Sequence, residues 1–324
     1  MAGQQVQASG GAQAEAAATQ LGDLPEACLA QAIALTSPRD ACRCAAVSPA
    51  FRAAADSDHV WRAFLPPQLD DRYRPAPVVL QPAPAAKSKK EAYLGLCEAA
   101  GAAAVDGEDG GCRVWLERAT GARCYALSAR RLSLPWDDGE FCWKFMPHPR
   151  SRFAEVAELV DCTCLDIYGA LPAAALTPGT PYAAYFVYGT ADGGHRGLSY
   201  PDQETAVAVG GRVVARHAVC LRPDEAEARK FRGGGGGGGG EEPRRPRLRE
   251  DGWWEVEMGR LGEVATSAAA GEEVVASFEV LGWYPKRGLI VEGIEFRPMD
   301  VLPDDGNANV HVSRLIFSMS KQPR

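Results

Sequence analysis

The sequence predicts an α+β chain of more than one domain, a small all-α module followed by an all-β jelly roll or β-sandwich. Three observations carry that expectation. At 324 residues the chain is two to three times a typical domain, so more than one core is expected. Short helical segments with capping signals crowd into residues 21–66. Beyond residue 112, ten short strand-like runs alternate with Gly and Pro turns and few helices, the texture of a sandwich. Composition agrees: 46% hydrophobic and 24% charged residues with a net charge of −7 are ordinary for globular protein and exclude wholesale disorder. Of 35 glycines, eight form one run at 233–240, so the excess is local.

Residues 1–20 are Ala, Gln and Gly with no periodic large apolar side chains, and are expected to be a disordered tail. A first helix follows Asp23-Leu24-Pro25-Glu26, with Asp23 as cap, and carries Cys28, Leu29 and Ile33 on one face. Ser37-Pro38-Arg39-Asp40 is a second start, with Ser37 as cap, Pro38 at the first helical position and Asp40 two further on, leading to Val47. Ser57 caps a third helix bearing Val60, Trp61, Phe64 and Leu65, which Pro66-Pro67 ends. Residues 67–111 read as a linker holding one amphipathic helix at about 87–97, with Tyr93, Leu94 and Leu96.

Strands are expected at 112–117, 123–127, 132–134, 156–160, 164–168, 182–188, 212–221, 253–258, 274–280 and 288–296. In Trp254-Glu255-Val256-Glu257-Met258 the apolar residues share one face and the glutamates the other, the alternation of a half-buried strand. The sandwich thus spans 112–300, with a disordered insertion at 223–250 that holds the glycine run, and 301–324 form a tail. The insertion ends in the basic hexamer 244–249, which is most simply a solvated charge run, the alternative being a nuclear-localisation patch.

The first basic residue is Arg39 and no apolar stretch approaches the ~18 residues that span a bilayer. An intracellular protein with no membrane partner is the expectation. Ten cysteines then read as reduced thiols. Of the two C-x-C pairs, Cys42 and Cys44 on a helix do not share a face, and Cys162 and Cys164 lack a second pair to complete a zinc set. No metal and no cofactor are expected. The glycine run is not followed by Gly-Lys-Ser/Thr, so it is not a phosphate loop, and nothing marks a nucleic-acid partner.

Leu24-Pro25-Glu26, Ile33, Ser37-Pro38, Asp40, Val47-Ser48 and Trp61 resemble the F-box motif. Residues 36–42 (TSPRDAC) look like the form found in plant F-box proteins of the phloem protein two-like group, B type. The β-rich part is similar to that group's Nictaba-type lectin domain, through 114–117 (VWLE), 124–134, 136–143, Ser151-Arg152-Phe153, 165–169 (LDIYG), 251–257 (DGWWEVE) and 288–298. The resemblance implies a non-catalytic substrate-recognition subunit of an SCF-type ubiquitin ligase in the nucleus and cytoplasm. Leu24, Pro25, Ile33, Val47 and Trp61 would meet a Skp-type adaptor, and through it a cullin scaffold. The lectin-like domain would bind glycans or glycoproteins containing N-acetylglucosamine.

In that family two tryptophans seven apart and two glutamates seven apart form the carbohydrate site, which implies Trp136, Trp143, Glu272 and Glu279 here. The chemistry is sound, because a sugar offers its C–H face to an aromatic plane and its hydroxyls to carboxylates. Most tryptophans of a sandwich fill its core, as Trp115, Trp254 and Trp283 are expected to do, and Trp136 and Trp143 stay open between the two roles. Glu272 and Glu279 would face opposite sides of a regular strand, so they converge only if Glu272 lies in the preceding turn or a bulge intervenes. An alternative is a β-domain that recognises a protein surface without glycan. A glycoside hydrolase is the third reading, against which no nucleophile elbow or other catalytic signature is found.

Overall fold

The computed structural model describes residues 24–66, 87–98, 103–104, 111–135, 142–199, 202–222, 243–262, 271–280 and 282–299. The chain divides into two compact units, Met1–Leu65 and Pro66–Arg324. The expected tails at 1–20 and 301–324, Asp23, and the glycine run lie outside the described residues.

The first unit contains four helices: α1 (Glu26–Ala34), α2 (Pro38–Cys44), α3 (Pro49–Asp56) and α4 (Asp58–Phe64). Ser37 caps α2 as expected, its Oγ accepting from the Asp40 N–H at 3.1 Å, and Pro38 follows at the first position. The same device opens α3, which the sequence reading does not include: Ser48 accepts from the Phe51 N–H at 3.3 Å, ahead of Pro49. Two capping expectations change. Pro25 itself is the N-cap of α1. Ser57 turns its hydroxyl back to the Ala54 carbonyl at 2.7 Å, so it closes α3 and leaves α4 without a side-chain cap.

The second unit starts with α5 (Lys89–Leu96). It is not an isolated linker helix. Tyr93 is fully buried and donates its hydroxyl to the carbonyls of Glu117 and Arg118, both at 3.2 Å, tying α5 to the β structure. The strands are β1 (Ala103–Ala104), β2 (Cys112–Leu116), β3 (Arg123–Ser128), β4 (Trp143–Met146), β5 (Val156–Leu159), β6 (Leu165–Pro172), β7 (Tyr182–Thr190), β8 (Gln203–Val209), β9 (Arg212–Val219), β10 (Arg247–Leu248), β11 (Trp254–Leu261), β12 (Glu273–Val280) and β13 (Leu289–Pro298). They form a nine-stranded sheet in the order β1-β2-β3-β13-β7-β11-β10, with β5 also on β13 and β4 on β5, and a four-stranded sheet β6-β12-β8-β9. Every ladder between named strands is antiparallel.

The two sheets face each other over one core. Phe186 of the larger sheet stacks on Phe278 of the smaller at 5.2 Å, and Thr205 of β8 donates to the Met258 carbonyl of β11 at 2.8 Å. Alternation is clean where the outer face meets water: β8 reads buried at Gln203, Thr205, Val207 and Val209 with half-buried residues between.

Three local expectations differ from what is found. Residues 132–134 are no strand: a 3-10 turn (Ala129–Arg131) leads into a single bridge, Ser133 to Tyr168. The strands β1, β4, β8 and β10 are additional. Residues 243–250, read as part of a disordered insertion, pair with the sheet, because β10 lies on β11 and Arg244 bridges Val219. The hexamer's arginines are not a free charge run, since Arg244, Arg247 and Arg249 bind Glu257, Glu255 and Glu295.

β13 crosses the larger sheet's centre, against β3, β5 and β7. A bulge between Val291 and Gly293 lets Glu292 and Glu295 both point outward, which an unbroken alternation forbids. Gly293 is required there, because a Cβ would collide with the Leu127 carbonyl.

Candidate functional site

Trp136 lies outside the described residues. The chain leading to it is placed by Ser133, whose N–H donates to the Tyr168 carbonyl (2.8 Å) and whose carbonyl accepts from the Tyr168 N–H (3.2 Å), so 133–135 run beside the edge strand β6 toward Asp166. Trp143 is 3% exposed, within the main core. Its indole N–H donates to the Pro135 carbonyl at 2.9 Å, holding the two ends of the 136–142 segment together. Trp143 is therefore a core residue, with no open face for a sugar.

Glu272 and Glu279 do not meet. Glu272 sits in the turn before β12, with its backbone carbonyl on the Ala173 N–H at 2.8 Å and its side chain against Gly210. The β12 ladders run without a bulge, so seven residues carry Glu279 to the other end of the sheet, ~20 Å away at about 3.3 Å per residue.

At that end Glu279 has a different neighbourhood. It pairs with Asp166 of β6 on one side and Glu204 of β8 on the other, which sets three carboxylates abreast on the outer face. Opposed like charges are unfavourable, and among the described residues only Glu204 has a counter-ion, Arg216. The next outward row contains Tyr168, Ser277, Ala206 and Arg216, with Tyr168 exposed.

Three residues beyond β12, Trp283 is 80% exposed. This corrects the expectation that it fills the core; Trp115 is buried, though on the outer face of the larger sheet, and Trp254 is half-buried against the core. The loop that presents Trp283 is pinned by Lys286. That side chain is fully buried, and its ammonium donates to the carbonyls of Thr163 (2.8 Å), Gly282 (2.6 Å) and Tyr284 (2.9 Å), one acceptor for each N–H. Burial pushes the Lys286 pKa down. Because Thr163 precedes Asp166 by three residues, the clamp fixes the Trp283 loop at the same end of the smaller sheet as the three carboxylates. Sequence reasoning missed Trp283, although the Gly282 before it and the Pro285 after it were turn signals.

In the helical unit the sequence-predicted residues separate. Trp61 is 1% exposed, bonded through its indole N–H to the Ala55 carbonyl at 2.8 Å and edge-on to Phe64. Ile33 is likewise buried. Leu24, Pro25 and Val47 are exposed, Val47 at 68%, and so is Leu35, which the sequence reading omits.

These features define a protein of two parts, a small helical module with exposed apolar residues and a β-sandwich whose smaller sheet ends in carboxylates and a solvent-facing tryptophan. An F-box-like family model matches residues 21–66, and the Phloem protein 2 model matches residues 122–298. The chain belongs to the family of F-box proteins that carry a phloem protein 2 domain. Similar Arabidopsis thaliana proteins include F-box protein PP2-B10, 36% identical over 86% of this chain and 94% of that protein, and F-box protein SKIP3, 34% identical over 88% and 90%. Among solved structures, a family 35 carbohydrate binding module from Clostridium thermocellum aligns with 53% of this chain and 96% of that one at 11% identity. Its TM-score of 0.29 is too low for function to follow. Both matched domains are of kinds typical of non-catalytic adaptor and lectin proteins.

Proposed function

We propose that the chain is the substrate-recognition subunit of an SCF-type ubiquitin ligase, acting in the nucleus and cytoplasm, with no chemistry of its own. The helical unit engages a Skp-type adaptor, and through it a cullin scaffold, by its exposed apolar residues Leu24, Pro25 and Val47. Ile33 and Trp61 act by holding those residues in place. An apolar surface on so small a unit suits a partner groove, since the residues it cannot bury become the interface.

The β-unit binds glycans or glycoproteins containing N-acetylglucosamine at the end of the smaller sheet. The observation that carries this is Trp283, a large aromatic ring presented to solvent by a loop that Lys286 pins at the end of the smaller sheet where Asp166 and Glu279 lie. A pyranose stacks its C–H face on such a ring while its hydroxyls and N-acetyl N–H donate to carboxylates. Trp136, which the family resemblance implicates and which lies outside the described residues, is the second aromatic of the proposed site. Single-sugar affinity on so open a surface is weak, and tethering within a ligase compensates through effective concentration.

The test is a glycan array with the full chain, wild type against Trp283→Ala, run beside an adaptor pull-down. Wild type is expected to bind N-acetylglucosamine oligomers and the variant to lose them while still capturing adaptor. A wild-type chain that binds no glycan overturns the lectin part, and one that captures no adaptor overturns the ligase part.

A further inference from the structure

We propose that a second cleft, on the outer face of the larger sheet and away from the Trp283 end of the smaller one, binds an extended acidic peptide segment of a partner protein. The cleft has a volume of about 580 Å³ and is lined by Trp115, Arg118, Tyr185, Arg247, Arg260 and Arg297 among others. That volume is within the range of ligand clefts, ~300–1,000 Å³.

Its shape follows from the pairing. Trp115 of β2 lies opposite Cys124 of β3, and Arg297 of β13 and Arg260 of β11 stand on either side of Ala183 of β7. The small Cys124 thus lies in the floor, and the tryptophan and arginines make the walls. The Arg297 guanidinium is stacked flat 3.7 Å above the Tyr185 ring, which holds its donors in one plane.

Charge settles the sign of the ligand. The lining holds four arginines against two glutamates, Glu117 and Glu257. Glu117 spends its carboxylate on its own turn, accepting from the N–H groups of Ala119 (2.9 Å) and Thr120 (2.7 Å). Glu257 takes Nε and one Nη of Arg260, at 2.8 and 3.2 Å. Arg297 and Arg247 are held on Glu255 by Nη2, and by Nη2 with Nε, respectively. Each of these three arginines therefore has Nη1 uncommitted, and Arg118 has no ion-pair partner among the described residues.

Distribution decides between a single anion and a chain. The free donors extend from the end of β2 to β10, with β3, β13, β7 and β11 between. At ~4.8 Å per strand that is roughly 24 Å, several times the width of a carboxylate or phosphate and equal to about seven extended residues. Aromatic walls between the cations take the aliphatic parts of the acidic side chains. This gives the β-unit a protein-reading face that does not depend on glycan.

The experiment measures fluorescence-anisotropy binding of a labelled octaglutamate peptide to the full chain, with an octaglutamine peptide as control and a sulfated disaccharide as competitor. Arg118→Glu and Arg260→Glu are tested singly, both side chains being exposed, with thermal melts to establish folding. The expected result is binding of the acidic peptide only, weakened about tenfold by either folded variant and by raised salt. Equal binding of the glutamine peptide, no effect of Arg118→Glu, or tighter binding of the sulfated sugar than of the peptide overturns the proposal.

Discussion

Glu279 and Asp166 face each other directly across β12 and β6, with no cation bonded to either among the described residues. A sheet that optimised only its own stability would not leave two carboxylates so placed, since like charges directly opposite are destabilising. In the proposed function the pair serves as hydroxyl acceptors for the glycan.

Neutralising one member separates the two roles. Glu279→Gln is expected to raise stability by ~0.2–1 kcal/mol through relief of repulsion, while glycan binding weakens. Denaturant unfolding of the wild type and variant, with the glycan array, gives both readings. A variant less stable than wild type would mean that the carboxylate is a structural group.

Trp143 is buried where the family resemblance gives it a sugar, and Trp283 is exposed where burial tendency gives it the core. Trp143→Ala leaves a cavity in the main core and is expected to cost ~3–5 kcal/mol. Trp283→Ala should change stability by no more than ~0.5 kcal/mol, because it removes little packing. Thermal melts of the two variants check the contrast.

In the helical unit the division is between Val47 and Trp61. Val47→Asp is expected to abolish adaptor capture with the unit's circular dichroism unchanged. Trp61→Ala should lose both, at a cost of ~3–5 kcal/mol in a unit this small. Retained capture by Val47→Asp would remove Val47 from the interface.

Acid stability should report on Glu295. It is 2% exposed and bonded to Arg152 and to Arg249, the latter at 2.7 Å, with Arg297 beside it. Burial alone would raise its pKa, but those three guanidinium groups outweigh burial and hold it below the usual carboxylate range. A depressed folded pKa contributes stability that is present at neutral pH and is lost as pH falls from about 4.3, the free glutamate value, through the folded value. Glu295→Gln removes a shared partner from Arg152, Arg249 and Arg297, which keep Glu292, Asp251 and Glu255, and should cost ~1.5–3 kcal/mol at pH 7. The penalty is expected to shrink in acid, as urea titrations at pH 7 and pH 4 would show.

The division into helical and β parts was legible because it is written in short-range signals, the Ser-Pro caps and the alternation of strands. α3 carried the same Ser-Pro signal but only one large apolar residue, Phe51, so its helical period was faint. β10 was hidden because its Arg247 is polar and exposed, and two residues cannot show a period. The site was less legible. Which tryptophan points outward depends on Lys286 finding three carbonyls, one of them Thr163, more than a hundred residues earlier. The grouping of Glu279 with Asp166 and Glu204 depends on strand order, which local pattern does not encode. The cleft likewise needs Arg297 and Arg260, on separate strands, to fall on either side of Ala183.

β13 has a consequence for how the protein is made. It is the last strand among the described residues, yet β3 pairs with it, Ser128 against Gly293. During synthesis β2 and β3 emerge and wait for a partner about 165 residues downstream, so the larger sheet closes only after β13 has left the ribosome. Such long-range pairing is slow. The helical unit, with contacts confined to some forty residues, is complete long before. A nascent chain would then offer a finished adaptor-binding module ahead of an unfinished β-unit, and stalled or truncated products would retain the first half of the protein's business without the second.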